Sequence, residues 1–328
     1  MLNASKFNLA FRLILTGVIG VISIGVVAAG LGQPSSELTP ESKSKDAEKS
    51  LNFVQVDNSS VWLPKFNYDK FRAGTELPND VLIRGKISKA DIPVFKTLLA
   101  PYLEPRYLQT HQKPHWYKVD PDESTFMVML DSQGGDVRAA LELGRLFRKA
   151  RVTATVGIDH KCLSSCVFLL AGAVRRYFFG GPVGIHRPYS DDTEPTSFET
   201  LQNRTTQLSK EVSSFLKKMN IPSVLYDDMM RVPSEQIKIL NSTDLDLYGL
   251  RQDDPVFAEL QRQAEARAAE LSMPEYLPRK AAYDRCVDRL YEQRVQKDKN
   301  GMSLEDIKEI HKGEDQCFNQ FILKKSQP

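Results

Sequence analysis

Four cysteines in 328 residues are too few for a fold built on disulfides. Glycine and proline number 18 each, which excludes collagen-like repeats and proline-glycine low complexity. Neither sign of charge prevails, because 44 Lys plus Arg stand against 42 Asp plus Glu and leave a formal net charge of +2. The basic excess of a polyanion binder is therefore missing, and no nucleic-acid partner is expected. A phosphate-cradling GxxxxGK[ST] loop is also missing, so no ATP and no other cofactor is expected. Hydrophobic residues at 41% are enough for the core of one large domain or two ordinary ones, but they do not recur as multiple membrane spans.

One long apolar run is present. Leu13 to Gly32 is free of charge and, as a helix, about 30 Å long, which matches a bilayer core. Lys6 and Arg12 precede it, so the positive-inside rule keeps the N-terminus in the cytoplasm and sends the rest across. Residues 1–32 are thus expected to be a transmembrane anchor, or else a signal segment cleaved near Ala28 and Ala29. Residues 33–50 are rich in Ser, Pro and charge without apolar periodicity, and read as a disordered linker. The expected location is the inner membrane, single pass, with the globular part in the oxidising periplasmic or extracytoplasmic space.

Beyond the linker, apolar runs short enough only for strands alternate with helical patterns. Val81 to Ile87 reads as a strand, followed by a helix capped by Ser88 and carrying Ile92, Phe95, Leu98 and Leu99. Phe126 to Leu130 reads as a second strand leading into DSQGGD. Val137 to Ala150 is amphipathic, with Val137, Ala140, Leu141, Gly144 and Phe147 on one face. Val152 to Ile158 and Val183 to Ile185 read as strands, with an apolar helix at Ser164 to Ala173 between them. Such alternation implies a parallel sheet with crossover helices over residues 51–253. Thr196 to Met219 reads as a long helix with a Thr196/Glu199 capping box. Its apolar face of Phe198, Leu201, Thr205, Leu208, Val212, Phe215 and Met219 is either core or an oligomer seam. Residues 254–328 read as a helical appendage broken at Pro274, Pro278 and Gly301, with Cys286 and Cys317 as a candidate disulfide.

Three stretches at strand ends supply what acyl transfer needs. In SQGG, Ser132 to Gly135, the glycine pair permits close backbone approach and can aim an N–H at a ligand, or simply make a tight turn. In CLSSC, Cys162 to Cys166, a serine at a helix start meets free N–H groups that would stabilise an oxyanion, though the same placement describes an N-cap. In GIHRP, Gly184 to Pro188, a histidine at a strand terminus can serve as general base. Their joint occurrence, each at a strand end, brings them to one sheet edge.

These residues resemble the Clp-protease and crotonase superfamily, and in particular Clp-type serine peptidases and their periplasmic homologues, over about half the chain. SQGG is similar to the family's Ser-Pro-Gly-Gly turn with Gln133 in place of proline, CLSSCVFLLAGA to the nucleophile segment, and GIHRP to the Ile-His-Gln-Pro segment of the base. The resemblance implies a Clp/crotonase-like parallel sheet and a peptide or protein substrate. Ser164 would be the nucleophile and His186 the base, and the N–H groups of Gly135 and Ser165 would form the oxyanion hole, with Gly134 the lesser candidate. It also implies an acyl-enzyme released by water.

The family's aspartate is missing, because register from Tyr248 and Gly249 puts Ile237 in its place. Glu235 lies on the same side of an extended segment and is the substitute, with Asp227 and Asp228 further away. Without its carboxylate a histidine loses tautomer control. The alternative is therefore a degraded Clp-like pseudo-enzyme that binds or assembles, and a crotonase-type acyl-coenzyme A enzyme ranks below both. Lys161 offers another base. Cys162 and Cys166 are open to a disulfide, a small buried pair, a thiolate nucleophile or, with His160, a zinc site, although no metal is expected.

Overall fold

The computed structural model describes residues 53–103, 126–189, 197–297 and 304–323. The Leu13 to Gly32 run and the 33–50 linker lie outside the described residues. Among those described, no helix is long and apolar enough to cross a membrane. The chain divides into two compact units, with the boundary between Glu275 and Tyr276.

The first unit is mixed α/β with a mostly parallel sheet. β1 (Phe53–Gln55) and β2 (Val61–Pro64) form an antiparallel hairpin, followed by α1 (Lys65–Arg72). β2 pairs antiparallel with β3 (Asp80–Ile87), which leads to α2 (Asp91–Leu99). β4 (Met127–Gly135) runs parallel to β3 and ends in the glycine pair, and α3 (Val137–Lys149) follows at once. The first half of β4 pairs with β5 (Thr153–Val156), which pairs with β7 (Arg175–Phe178).

The far end of β4 belongs to a second, smaller sheet. There Ser132 lies beside Cys162 of β6 (Cys162–Leu163), and β6 pairs parallel with β8 (Val183–Ile185). Between β6 and β7 sits α4 (Cys166–Gly172), every residue of which is buried. α5 (Phe198–Lys218) and α6 (Ser223–Arg231) lead to β9 (Lys238–Ile239), which closes the small sheet antiparallel to β8. α7 (Ser242–Leu247) and α8 (Pro255–Ala268) complete the unit.

Several expectations shift by a few residues for local reasons. Ser88 does not cap α2 through its side chain. Instead Asp91, fully buried, accepts from Ser88 N–H at 2.7 Å, Ser60 N–H at 2.6 Å and Ser60 Oγ at 2.9 Å, tying the hairpin to the helix start. The cap of α5 is Ser197, whose Oγ accepts from Thr200 N–H, rather than Thr196, which lies outside the described residues. The apolar face of α5 is core at Leu208, Val212, Phe215 and Met219, whereas Phe198 and Leu201 are exposed.

α3 and α4 cross where Gly144 meets Gly172. A side chain at Gly172 would lie 2.5 Å from Gly144 Cα, so only glycine lets the two backbones approach. The C-terminal end of α4 is held by Arg176, whose buried guanidinium donates to Ala171 O at 3.0 Å, Ala173 O at 3.1 Å and Gly249 O at 2.7 Å. Burial, reinforced by the Arg148 charge, lowers its pKa to about 10, so it remains a cation at neutral pH. Those carbonyls sit where helices leave acceptors unsatisfied.

The second unit holds most of α9 (Met273–Lys297), α10 (Leu304–Phe318) and a terminal π-turn (Asn319–Leu323). Cys286 and Cys317 form a disulfide between the two helices. The expected breaks at Pro274 and Pro278 do not occur, because α9 runs through both. Pro274 stands in the first turn, where its missing donor is not needed, and Pro278 forfeits one hydrogen bond. Gly301 lies outside the described residues.

Replacing Arg176 by Met should cost about 3 kcal/mol, because it leaves buried carbonyls unpaired. The expected outcome in urea unfolding is a lower midpoint with an unchanged slope.

Candidate active site

The parallel ladder sets where the three candidate stretches end. Ser132 pairs with Cys162, Cys162 with Val183, and Leu163 with Gly184, so β4, β6 and β8 run side by side in one direction. The residues that follow, Gly134–Gly135, Ser164 and His186, leave the sheet at the same edge. A cavity of about 900 Å³ opens there, and Gly134, Gly135, Ser164, Ser165 and His186 all line it. Ile87, Phe168, Leu208, Met229 and Ile237 give it apolar walls.

Ser164 does not open α4 as the sequence suggests, since the helix starts two residues later at Cys166. It occupies the turn between β6 and α4 with φ at +57°, a left-handed conformation that costs a non-glycine residue about 1–2 kcal/mol. Its N–H donates to Gly184 O at 2.9 Å. Ser165 is the residue before the helix, and its Oγ donates to Gly135 O at 3.1 Å, joining the Ser164 turn to the glycine turn. The disulfide alternative for the flanking cysteines is the one found: Cys162 and Cys166 are bonded, with Cα atoms 5.2 Å apart. Neither is then a thiolate nucleophile or a zinc ligand, and no group of His, Cys, Asp and Glu among the described residues could hold a metal.

The two glycines have different tasks. A Cβ on Gly134 would lie 2.7 Å from Ser164 Cβ, so this glycine lets β4 pass against the Ser164 turn. Its N–H is already engaged, donating to Ser132 Oγ at 3.0 Å, and this removes Gly134 as an oxyanion donor. Ser132, fully buried, donates its own hydroxyl hydrogen bond to Gly85 O at 2.5 Å. Gly135, at φ +152°, fits under Ile87, whose carbonyl a methyl group there would overlap. Asp136 N–H donates to Ile87 O at 2.9 Å, and its Oδ1 caps α3 by accepting from Ala139 N–H.

His186 is buried, at 6% exposure, yet it reaches the cavity. Its Nδ1 lies 2.9 Å from Arg187 O, which can only accept, so Nδ1 is the donor, and of the two neutral tautomers this bond selects the one with the lone pair on Nε2. Arg187 is itself fixed, its N–H donating to Val232 O at 2.9 Å and its guanidinium to Met230 O at 2.8 and 3.0 Å. No hydrogen bond joins Ser164 to His186 among the described residues.

Among the described residues no hydrogen bond joins a carboxylate candidate to the ring, although the charges of Glu235 and His186 are close enough to interact. Glu235 is fully exposed and does not line the cavity, although Ser234 and Ile237 on either side do. Its carboxylate accepts from Ser234 Oγ at 2.5 Å, and that bond, more than the nearby charges of Arg187 and His186, holds its pKa below the usual range. Asp228 is engaged with the Tyr248 hydroxyl and with Arg231 at 2.6 Å. Asp227 is exposed. Lys161 is exposed and outside the cavity lining, its N–H donating to Asp131 at 3.3 Å. His160 is partly buried, and its pKa is lowered mainly by that burial. Sequence reasoning missed the acceptor actually found at Nδ1, because a main-chain carbonyl has no residue signature.

No family model matches the chain. No curated protein matches it. Among solved structures, ClpP1 from Listeria monocytogenes and a point mutant of the same protein are similar over 53% of this chain and 88% of theirs, at 14% identity and a TM-score of 0.35. At that score the likeness carries no argument about chemistry, which rests on the residues of this chain.

Gly135→Ala should lower stability by at least about 2 kcal/mol, because the methyl group has nowhere to go without parting β3 from β4. The measurement is the shift in urea midpoint relative to wild type.

Proposed function

We propose that the chain is a serine hydrolase of Clp/crotonase-like fold that cleaves peptides or unfolded segments through an acyl-enzyme. The observation that carries this is the meeting of Ser164, Ser165, Gly135 and His186 on one cavity from three separate stretches of chain. In this reading Nε2 of His186 takes the proton from Ser164 Oγ as the oxygen attacks a carbonyl carbon. The N–H groups of Gly135 and Ser165 hold the oxyanion, whose loss of one donor commonly costs about 3–4 kcal/mol. The imidazolium then returns its proton to the leaving amine, and water enters by the same base to release the acyl group. A rotamer change of the serine or the ring closes the hydrogen bond that this step needs, as is common when substrate is absent. Apolar walls suit a hydrophobic side chain beside the scissile bond.

Arg187 O supports the base in place of the missing aspartate by keeping the proton on Nδ1. A carbonyl supplies the tautomer but carries no full charge to stabilise the imidazolium, so turnover should be slower than in a complete triad. The membrane anchor, the extracytoplasmic location and the homo-oligomer belong to the same proposal. A second reading makes the chain a non-catalytic assembly module, and exposed Phe198 and Leu201, on the same face of α5 as its buried Leu208 and Val212, favour it.

Labelling of purified full-length protein by a fluorophosphonate separates the two. Ser164→Ala should abolish labelling, and His186→Gln should slow it at least about a thousandfold. Glu235→Gln should change it less than about threefold, since that carboxylate is solvated and does not line the cavity. Wild-type protein that takes up no label, but whose oligomer mass falls in Phe198→Glu, would favour the assembly module.

A further inference from the structure

The turn that bears Ser164 is closed by its own covalent link. Cys162 starts β6, where it is paired on one side with Ser132 and on the other with Val183, and its N–H donates to Pro182 O at 2.9 Å. Cys166 is the first residue of α4, and both cysteines are fully buried. One end of the link is thus fixed in the sheet and the other in the core helix. Between them Ser164 holds a backbone conformation that serine does not favour, and among the described residues its side chain has no hydrogen bond to reward it.

A ring this short removes less entropy from the unfolded chain than a long one, such as the loop spanning 31 positions between Cys286 and Cys317. Its effect is concentrated on the turn. We propose that the Cys162–Cys166 disulfide is the positioning element of the nucleophile, holding Ser164 left-handed and Ser165 N–H toward the cavity, so that the hydroxyl is reactive only in the oxidised chain. This inference rests on the reading of Ser164 as nucleophile. Formation of the link is a two-electron oxidation. The two thiols give up two protons and two electrons to a small-molecule or protein disulfide, which departs as two thiols. Because both sulfurs are sealed in the core, the bond is a lasting step of maturation and not a surface switch.

The test compares the full-length chain with its Cys162→Ala/Cys166→Ala double variant, and with Cys286→Ser/Cys317→Ser as a control that removes the other disulfide. Two quantities are read well below the unfolding temperature: amide hydrogen exchange at Ser164 and Val167, whose N–H groups donate to Gly184 O at 2.9 Å and Ser164 O at 3.1 Å, and the rate of fluorophosphonate labelling. The double variant should exchange at least about tenfold faster at those amides and label at least about tenfold more slowly, while the control changes neither. Adding Ser164→Gly to the double variant should restore slow exchange at Val167, because glycine takes the left-handed conformation without strain. Refolding the control with dithiothreitol leaves only this disulfide reduced and gives the same comparison if the double variant fails to fold. Wild-type exchange in a folded, reduced chain would overturn the proposal, as would faster exchange with unchanged labelling. If the oxidised wild-type chain takes no label at all, the hydrolase reading falls, and the positioning of the turn is decided by exchange alone.

Discussion

The short parallel ladder of β4, β6 and β8 is the constraint on which the candidate site depends. Its pairings place Ser132 beside Cys162 and Leu163 beside Gly184, and parallel strands release the residues after them at a common edge. Side chains alternate along a strand, so a slip of one residue in β6 would turn Ser164 away from the cavity and bring Leu163 or Ser165 into its place. β4 belongs to both sheets, and it makes this register dependent on the large sheet and not on a two-residue strand alone. Antiparallel β9 covers the outer edge of β8 through Gly184 and Ile185.

The site sets one residue in an unfavourable backbone conformation, Ser164, within a rigid frame. Gly134, Gly135 and Ser164 all have positive φ, at no cost for the glycines, and they adjoin one another where β4 passes the Ser164 turn. Such conformations persist where the surroundings over-determine them. The surroundings here are the wholly buried α4, its close crossing with α3 at Gly144 and Gly172, and the Arg176 guanidinium on its terminal carbonyls. Strain at one end of α4 is thus opposed by packing along its length and by charge-assisted hydrogen bonds at the other end.

Much of the frame was legible in the sequence. Val81 to Ile87 and Val137 to Ala150 have periodicities that reflect which side of the chain is buried, and the structure has elements there within a residue or so. The β1–β2 hairpin escaped, because strands of three and four residues contain too few alternations to register. Caps moved where two neighbouring residues could each serve, as with Thr196 and Ser197, and Asp91 displaced Ser88 by taking donors from a hairpin 31 residues away. Proline in α9 was over-read, since its penalty is small near a helix start. At the site, residue types pointed to the serine, histidine and glycine turn. The support of the ring did not, because the acceptor is a carbonyl and the expected carboxylate is in solvent.

By itself the sequence determined the local features: the order of strands and helices, the glycine pair after β4, and a serine and a histidine each just beyond a strand. These follow from hydrophobic period and allowed φ/ψ, which act over a few residues. Tertiary structure alone decided that Gly134 N–H is committed to Ser132, that Cys162 and Cys166 close a ring around Ser164, and that Arg187 O faces Nδ1 of His186. Each of these depends on atomic distances within a packed turn or between strands, and hydrophobic pattern carries no record of which hydrogen-bond partner wins.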